Sequence, residues 1–141
     1  MAAFALTNAD MEALEAKLNQ SPEDSGVQRK ILACIRARKM RRPELVVRCA
    51  LPILANGGKV LGSSEVWDVR EQFYLACLEL HMFDHADYQL DILKTKFPGS
   101  IRVRGLSGMM YEAMAGSSGI SKEVRALEST MWEGFMGVHA F

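Results

Sequence analysis

The sequence predicts an all-α protein built of antiparallel helical hairpins, a short α-solenoid of six to seven helices. Three observations predict it. Apolar residues recur at helical intervals along most of the chain, and no segment alternates as a half-buried strand would. The periodic stretches are separated by short breaks of helix-disfavouring residues: SPEDSG at 21–26, NGG at 56–58, PGS at 98–100 and GSSG at 116–119. Connections this short make consecutive helices antiparallel neighbours.

Each element has its own justification. Thr7, Asn8 or Asp10 can cap a first helix running through Leu18, with Met11, Leu14 and Leu18 on one face. The SPEDSG stretch then reads as a loop. A second helix is expected from about Val27 to Met40, with Ile31, Cys34, Ile35 and Arg38 on one side. Its end carries Arg36, Arg38, Lys39, Arg41 and Arg42, and cations there interact well with the helix dipole. Pro43 fits the first turn of a third helix, where its missing N–H costs nothing. Asn56-Gly57-Gly58 closes that helix, and Pro52 within it is expected to kink it or end it early.

Ser63 or Ser64 can cap a fourth helix, with Glu65 and Asp68 in its first turn and Val66, Val69, Phe73, Ala76, Cys77 and Leu80 at helical spacing. A fifth starts near Asp84 and carries Ala86, Leu90, Leu93 and Phe97 before Pro98 stops it. A sixth covers about Ile101 to Met114, ended by Gly116-Ser117-Ser118-Gly119. A last helix is expected from Ser121 to about Met136. The whole reads as one helical-repeat domain, 1–141, with an N-terminal helix and loop over 1–26. Residues 116–141 form a divergent tail that need not be fully ordered.

Composition narrows the function classes. Apolar residues make up 49% of the 141, enough for a real core. Lys plus Arg equals Asp plus Glu at 17 each, so no global field draws the chain to nucleic acid or anionic lipid. No apolar run approaches the ~20 residues that cross a bilayer; the stretch from Leu45 to Ala55 is broken by Arg48 and Pro52. The N-terminus lacks the basic start and apolar stretch of a signal peptide. Cys34, Cys49 and Cys77 are odd in number, far apart and set among apolar neighbours, as small buried hydrophobes of a reducing compartment are. The cytosol is the expected location.

A repeat signal adds to the periodicity. The tetratricopeptide pattern recurs over about 34 residues. With its closing proline at Pro98, its alanine falls on Ala86 and its large apolar position on Leu90. One period beyond Tyr74, Gly108 takes the small position, where two helices approach closely, and Tyr111 the aromatic one that fills the space beside it. Tyr74 and Ile120 depart from the pattern, each standing where a small residue belongs.

The segment FPGSIRVRGLSGMMYEAM, Phe97 to Met114, resembles the corresponding stretch of subunit 2 of the endoplasmic reticulum membrane protein complex, a tetratricopeptide family. Phe97, Pro98, Gly99, Ser100, Arg102, Val103, Leu106, Gly108, Met109, Glu112, Ala113 and Met114 carry the resemblance, and Trp67, Glu71, Gln72 and Ala76 extend it upstream. It covers roughly Glu65 to Met114. After Met114 the family pattern is lost. The resemblance implies a non-catalytic, cytosolic scaffold, peripheral to the endoplasmic reticulum membrane, that braces subunits of a complex inserting transmembrane segments.

Chemistry is sparse. His81 and His85 are four apart, but a turn is expected at Phe83-Asp84, which breaks the helix geometry a zinc pair needs, and no third ligand is evident. Gly105, Gly108 and Gly116 lack the Lys-Ser/Thr of a phosphate loop. No metal, cofactor or catalytic residue is assigned, and the chain is not expected to be an enzyme. The charged feature that remains is the basic run. Arg38, Lys39, Arg41 and Arg42, with Arg102 and Arg104, are the expected partner-binding edge, facing protein subunits of a membrane-associated complex. The alternative is an adaptor for acidic lipid or RNA, although no stacking aromatics interleave with the patch. Met109, Met110, Met114, Met131 and Met136 read first as core filling; with Trp132, Phe135 and Phe141 they otherwise give a late apolar surface for a partner or for self-association.

Overall fold

The computed structural model describes residues 8–118. These form six helices and, among the described residues, no strand: α1 Asn8–Gln20, α2 Ser25–Arg38, α3 Pro43–Ala55, α4 Glu65–Glu79, α5 Phe83–Lys96 and α6 Ile101–Ser118. The fold class is all-α, built of packed helical hairpins, as expected. No described helix is long and apolar enough to cross a membrane. The seventh helix expected at 121–136 lies outside the described residues, as do Met131, Met136, Trp132, Phe135 and Phe141.

The chain divides into two compact units, with the boundary inside α4 between Ala76 and Cys77. In the first, α2 packs against both α1 and α3. Its core takes part of the expected stripes, without Leu14, which is half-buried, or Arg38, which is exposed, and adds Leu32, the α3 residues and Tyr74. Met11 and Leu18 come from α1, Ile31, Leu32, Cys34 and Ile35 from α2, Leu45, Val46, Cys49, Ala50 and Ile53 from α3, and Val69, Phe73 and Tyr74 from α4. Burying one such side chain contributes about 1.5–3 kcal/mol, which is why a stripe recurring over several turns suffices to hold each helix. In the second unit α5 packs against α6 through Ala86, Leu90, Leu93, Val103 and Leu106, with Gly105 and Gly108 also buried.

Several local expectations change. α2 starts at Ser25, inside the stretch read as a loop, because Asp24 caps it: Oδ1 accepts the N–H groups of Gly26 at 2.9 Å and Val27 at 3.2 Å. α3 passes through Pro52 and ends three residues later at Ala55. Proline frees the carbonyl four residues back, that of Arg48, and both residues are exposed, so water can satisfy it. α6 does not stop at Gly116 but continues to Ser118; a glycine in the last turn costs about 1 kcal/mol of propensity, too little to end a packed helix. The turn between α4 and α5 lies at Leu80–Met82 rather than at Phe83-Asp84. His81 takes φ 57 there, Met82 N–H donates to Cys77 O at 2.8 Å, and α5 already starts at Phe83. Tyr111, expected to fill space beside Gly108, is 60% exposed.

Candidate functional site

The basic α2–α3 turn is built from its backbone outward. α2 ends on Lys39 in the left-handed region, φ 52 and ψ 44. The Lys39 N–H donates to Arg36 O at 3.3 Å and the Met40 N–H to Ile35 O at 3.0 Å, closing the last carbonyls of the helix. Glycine is the usual occupant of such a cap; here a lysine is held there. Arg38, Lys39 and Arg41 are exposed around this pinned turn.

Two neighbours in the basic run turn to structural tasks instead. Arg42 makes a two-pronged contact to Glu15 of α1, Nη2 to Oε1 at 2.8 Å and Nη1 to Oε2 at 3.3 Å. That hydrogen bond pushes the Arg42 pKa further up. Arg36 donates to Gln72 Oε1 of α4 at 2.9 Å and lies 3.6 Å from Glu65. Gln72 in turn donates from Nε2 to Leu32 O at 3.1 Å. Of the expected edge in this unit, Arg38, Lys39 and Arg41 are exposed and Arg42 is half-buried. Arg102 and Arg104 stand in the first turns of α6, in the second unit, Arg102 half-buried and Arg104 exposed.

Glu65 also receives Arg29 at 2.6 Å, and that hydrogen bond, helped by the charges of Arg29 and Arg36 and opposed by burial, holds its carboxyl below the usual range. A lowered folded-state pKa adds stability above the ordinary carboxylate range, which is lost as pH falls through the folded value. Replacing Glu65 with Gln should therefore lower stability at neutral pH and flatten its fall on acidification. Urea titrations of both proteins between neutral pH and pH 3 check this; parallel curves would show that Glu65 carries none of the acid sensitivity.

A second feature of the same unit went unread in the sequence. A cavity of about 340 Å³ is lined by Pro22, Glu23, Ser25 and Gln28 on one side and Pro52, Ile53, Asn56 and Val60 on the other. Gln28 is only 2% exposed, and its Nε2 donates to Pro22 O at 2.8 Å. The available signal was its place in the stripe Gln28, Ile31, Ile35, a polar side chain in an apolar series.

All three cysteines are buried, and burial pushes the Cys49 thiol up to about 11 and the Cys77 thiol up to about 12, the reverse of activation. His81 sits in the turn, stacked on Phe83 with ring centres 5.4 Å apart, so it does not share a helix face with His85. Among the described residues no group of three His, Cys, Asp or Glu side chains is placed to hold a metal.

Comparison with known proteins gives distant relatives. The chain is 33% identical over 79 residues to ER membrane protein complex subunit 2 of Xenopus tropicalis, covering 56% of this chain and 26% of that protein. It is 35% identical over 74 residues to ER membrane protein complex subunit 2-B of Xenopus laevis, covering 52% and 25%. The aligned stretch thus spans about a quarter of the length of these relatives. No family model matches the chain, and no solved structure does. What the comparison establishes is a partial, distant similarity to subunit 2 of the ER membrane protein complex, on a chain of packed helical hairpins.

Proposed function

We propose that the chain is a non-catalytic protein–protein interaction scaffold. Its role would resemble that of the tetratricopeptide subunit of the endoplasmic reticulum membrane protein complex, which supports insertion of transmembrane segments. The observation that carries this is the similarity over roughly half of the chain to subunits bearing that complex's name. The repeat pattern supports it in part. Ala86 is fully buried, Leu90 is 3% exposed and Gly108 is buried, as a hairpin interior demands, whereas Tyr111 is not. In this reading the protein works at the cytosolic face of the membrane, peripherally, and meets the other subunits through the turn bearing Arg38, Lys39 and Arg41, with Arg102 and Arg104 as a second contact. Met114 and Tyr111, 43% and 60% exposed, offer apolar surface for a partner or a second copy.

Affinity purification from cells with the tagged full chain tests the proposal: membrane-complex subunits should be recovered. Their absence with a stable, soluble chain would sink it. The triple variant Arg38→Glu, Lys39→Glu, Arg41→Glu should cut that recovery about tenfold or more, since reversed charges on an interface oppose the partner's potential, while the far-ultraviolet circular dichroism stays unchanged.

The exposed cations also suit a second reading, an adaptor for acidic lipid or RNA. Binding of the isolated chain to phosphatidylserine vesicles and to single-stranded RNA at two salt concentrations separates the two. Tight binding that weakens steeply with salt favours the adaptor; the scaffold reading expects little binding at either salt.

A further inference from the structure

We propose that the cavity between the α1–α2 loop and the end of α3 is a docking groove for an extended segment of a partner protein, an aliphatic residue next to a lysine or arginine. The inference rests on the scaffold reading only in making the occupant a protein. Its grounds lie in the groove itself.

The walls are chemically unequal. Pro22, Pro52, Ile53 and Val60 form the apolar part, and Val60 is 47% exposed, a large aliphatic side chain left to water. Both prolines are rigid, so ordering a partner against them costs little conformational entropy. Ser25, Gln28 and Asn56 supply hydroxyl and carboxamide groups, and Glu23 is the one charged residue of the lining. A volume of about 340 Å³ sits at the small end of ligand pockets and suits one or two side chains rather than a folded element.

Gln28 shapes the groove, and Asn56 and Glu23 decide the kind of ligand. The Gln28 side chain is buried but for 2%, and the bond from Nε2 to Pro22 O holds the amide in place and fixes the loop that carries Glu23. A carboxamide has two N–H donors and an acceptor oxygen; the Pro22 bond uses one donor. Asn56, at the end of α3 across the groove, carries the same group. The exposed Asn56 carboxamide, both donor and acceptor, matches a C=O and an N–H of an extended backbone, which a lipid headgroup or a phosphate does not offer. The carboxylate of Glu23 then selects a cationic side chain, and the Val60 and Ile53 wall an aliphatic one.

The test selects a random nonapeptide phage library on the immobilised full chain. Enriched sequences should place an aliphatic residue beside Lys or Arg. A synthetic peptide of that sequence should lose about tenfold in affinity for each of Glu23→Lys and Val60→Asp; both positions are exposed, so neither substitution empties the core. It should bind Arg38→Glu normally. Enrichment of acidic peptides, or affinity unchanged by both groove variants, would overturn the groove. If circular dichroism shows Val60→Asp to be unfolded, Asn56→Ala replaces it, with the same loss expected. Peptide selection without recovery of membrane-complex subunits refutes the scaffold reading alone; recovery of subunits by a chain whose peptides ignore the groove variants refutes the groove alone.

Discussion

Gly58→Ala should be among the most damaging single-methyl additions in this protein, lowering unfolding stability by about 2–4 kcal/mol. Gly58 follows α3 in a tight closure: its N–H donates to Ile53 O at 3.1 Å and its carbonyl accepts from Leu61 at 3.0 Å. Two costs add at this position. Its φ of +73 is a region that L side chains rarely adopt, and a Cβ there would lie 2.6 Å from Val66 Cγ2 and 3.6 Å from Val66 Cβ. The β-branched Val66 is stiff in a helix and cannot swing aside. Gly57 separates the two terms. It has nearly the same φ, +75, but open space where a Cβ would stand. Gly57→Ala should therefore cost only the backbone term, about 1 kcal/mol. Urea unfolding of the full chain, followed by circular dichroism at 222 nm, measures both. Equal losses would show that the Val66 contact relaxes freely. Gly58 is also two residues from Val60, so a shifted closure should move one wall of the groove.

How much of this was legible in the sequence depends on the range of the interaction. Helical period marked six helices because each is held by a stripe of its own residues, and stripes are local. The ends were less legible. Asp24 sits in a run of Ser, Pro and acids that reads equally as loop or cap, and only the path of the backbone makes it a cap. Pro52 and Gly116 are helix breakers by propensity, but their costs are local and are outweighed where the rest of the helix packs. The basic run was visible as composition, yet its division was not. Arg42 is claimed by Glu15, 27 residues away, and Arg36 by Gln72, 36 residues away. No spacing rule announces such pairs. The groove was invisible for the same reason, since its two sides come from segments some thirty residues apart.

The attachment of α1 provides the second large effect, and magnitudes decide which contacts matter. Polar ties also join α1 to α3 and the turn before it, among them Glu15 to Arg42, and Asn19 to Arg48 at 2.9 Å. The Glu15–Arg42 side chains are 29% and 41% exposed, so solvent screens the pair, and it contributes at most about 1 kcal/mol. Leu18 is fully buried and Met11 is 2% exposed. Truncating a buried leucine removes its transfer energy and leaves a cavity, together about 2–5 kcal/mol. Leu18→Ala should therefore destabilise several times more than Arg42→Ala, and the two losses should add, because one removes buried apolar surface and the other a solvent-screened ion pair. Chemical unfolding of both single variants and the double variant checks this. A larger loss from Arg42→Ala would mean that the ion pair, not apolar burial, seats the helix. The consequence reaches the groove. The chain leaves α1 at Gln20 and enters the Pro22–Glu23 wall two residues later, so loosening α1 by Leu18→Ala should weaken binding of the selected peptide even though Leu18 lies outside the groove lining. Arg42→Ala, which leaves the apolar seat intact, should leave that affinity within about twofold, as expected for a contact worth under 1 kcal/mol.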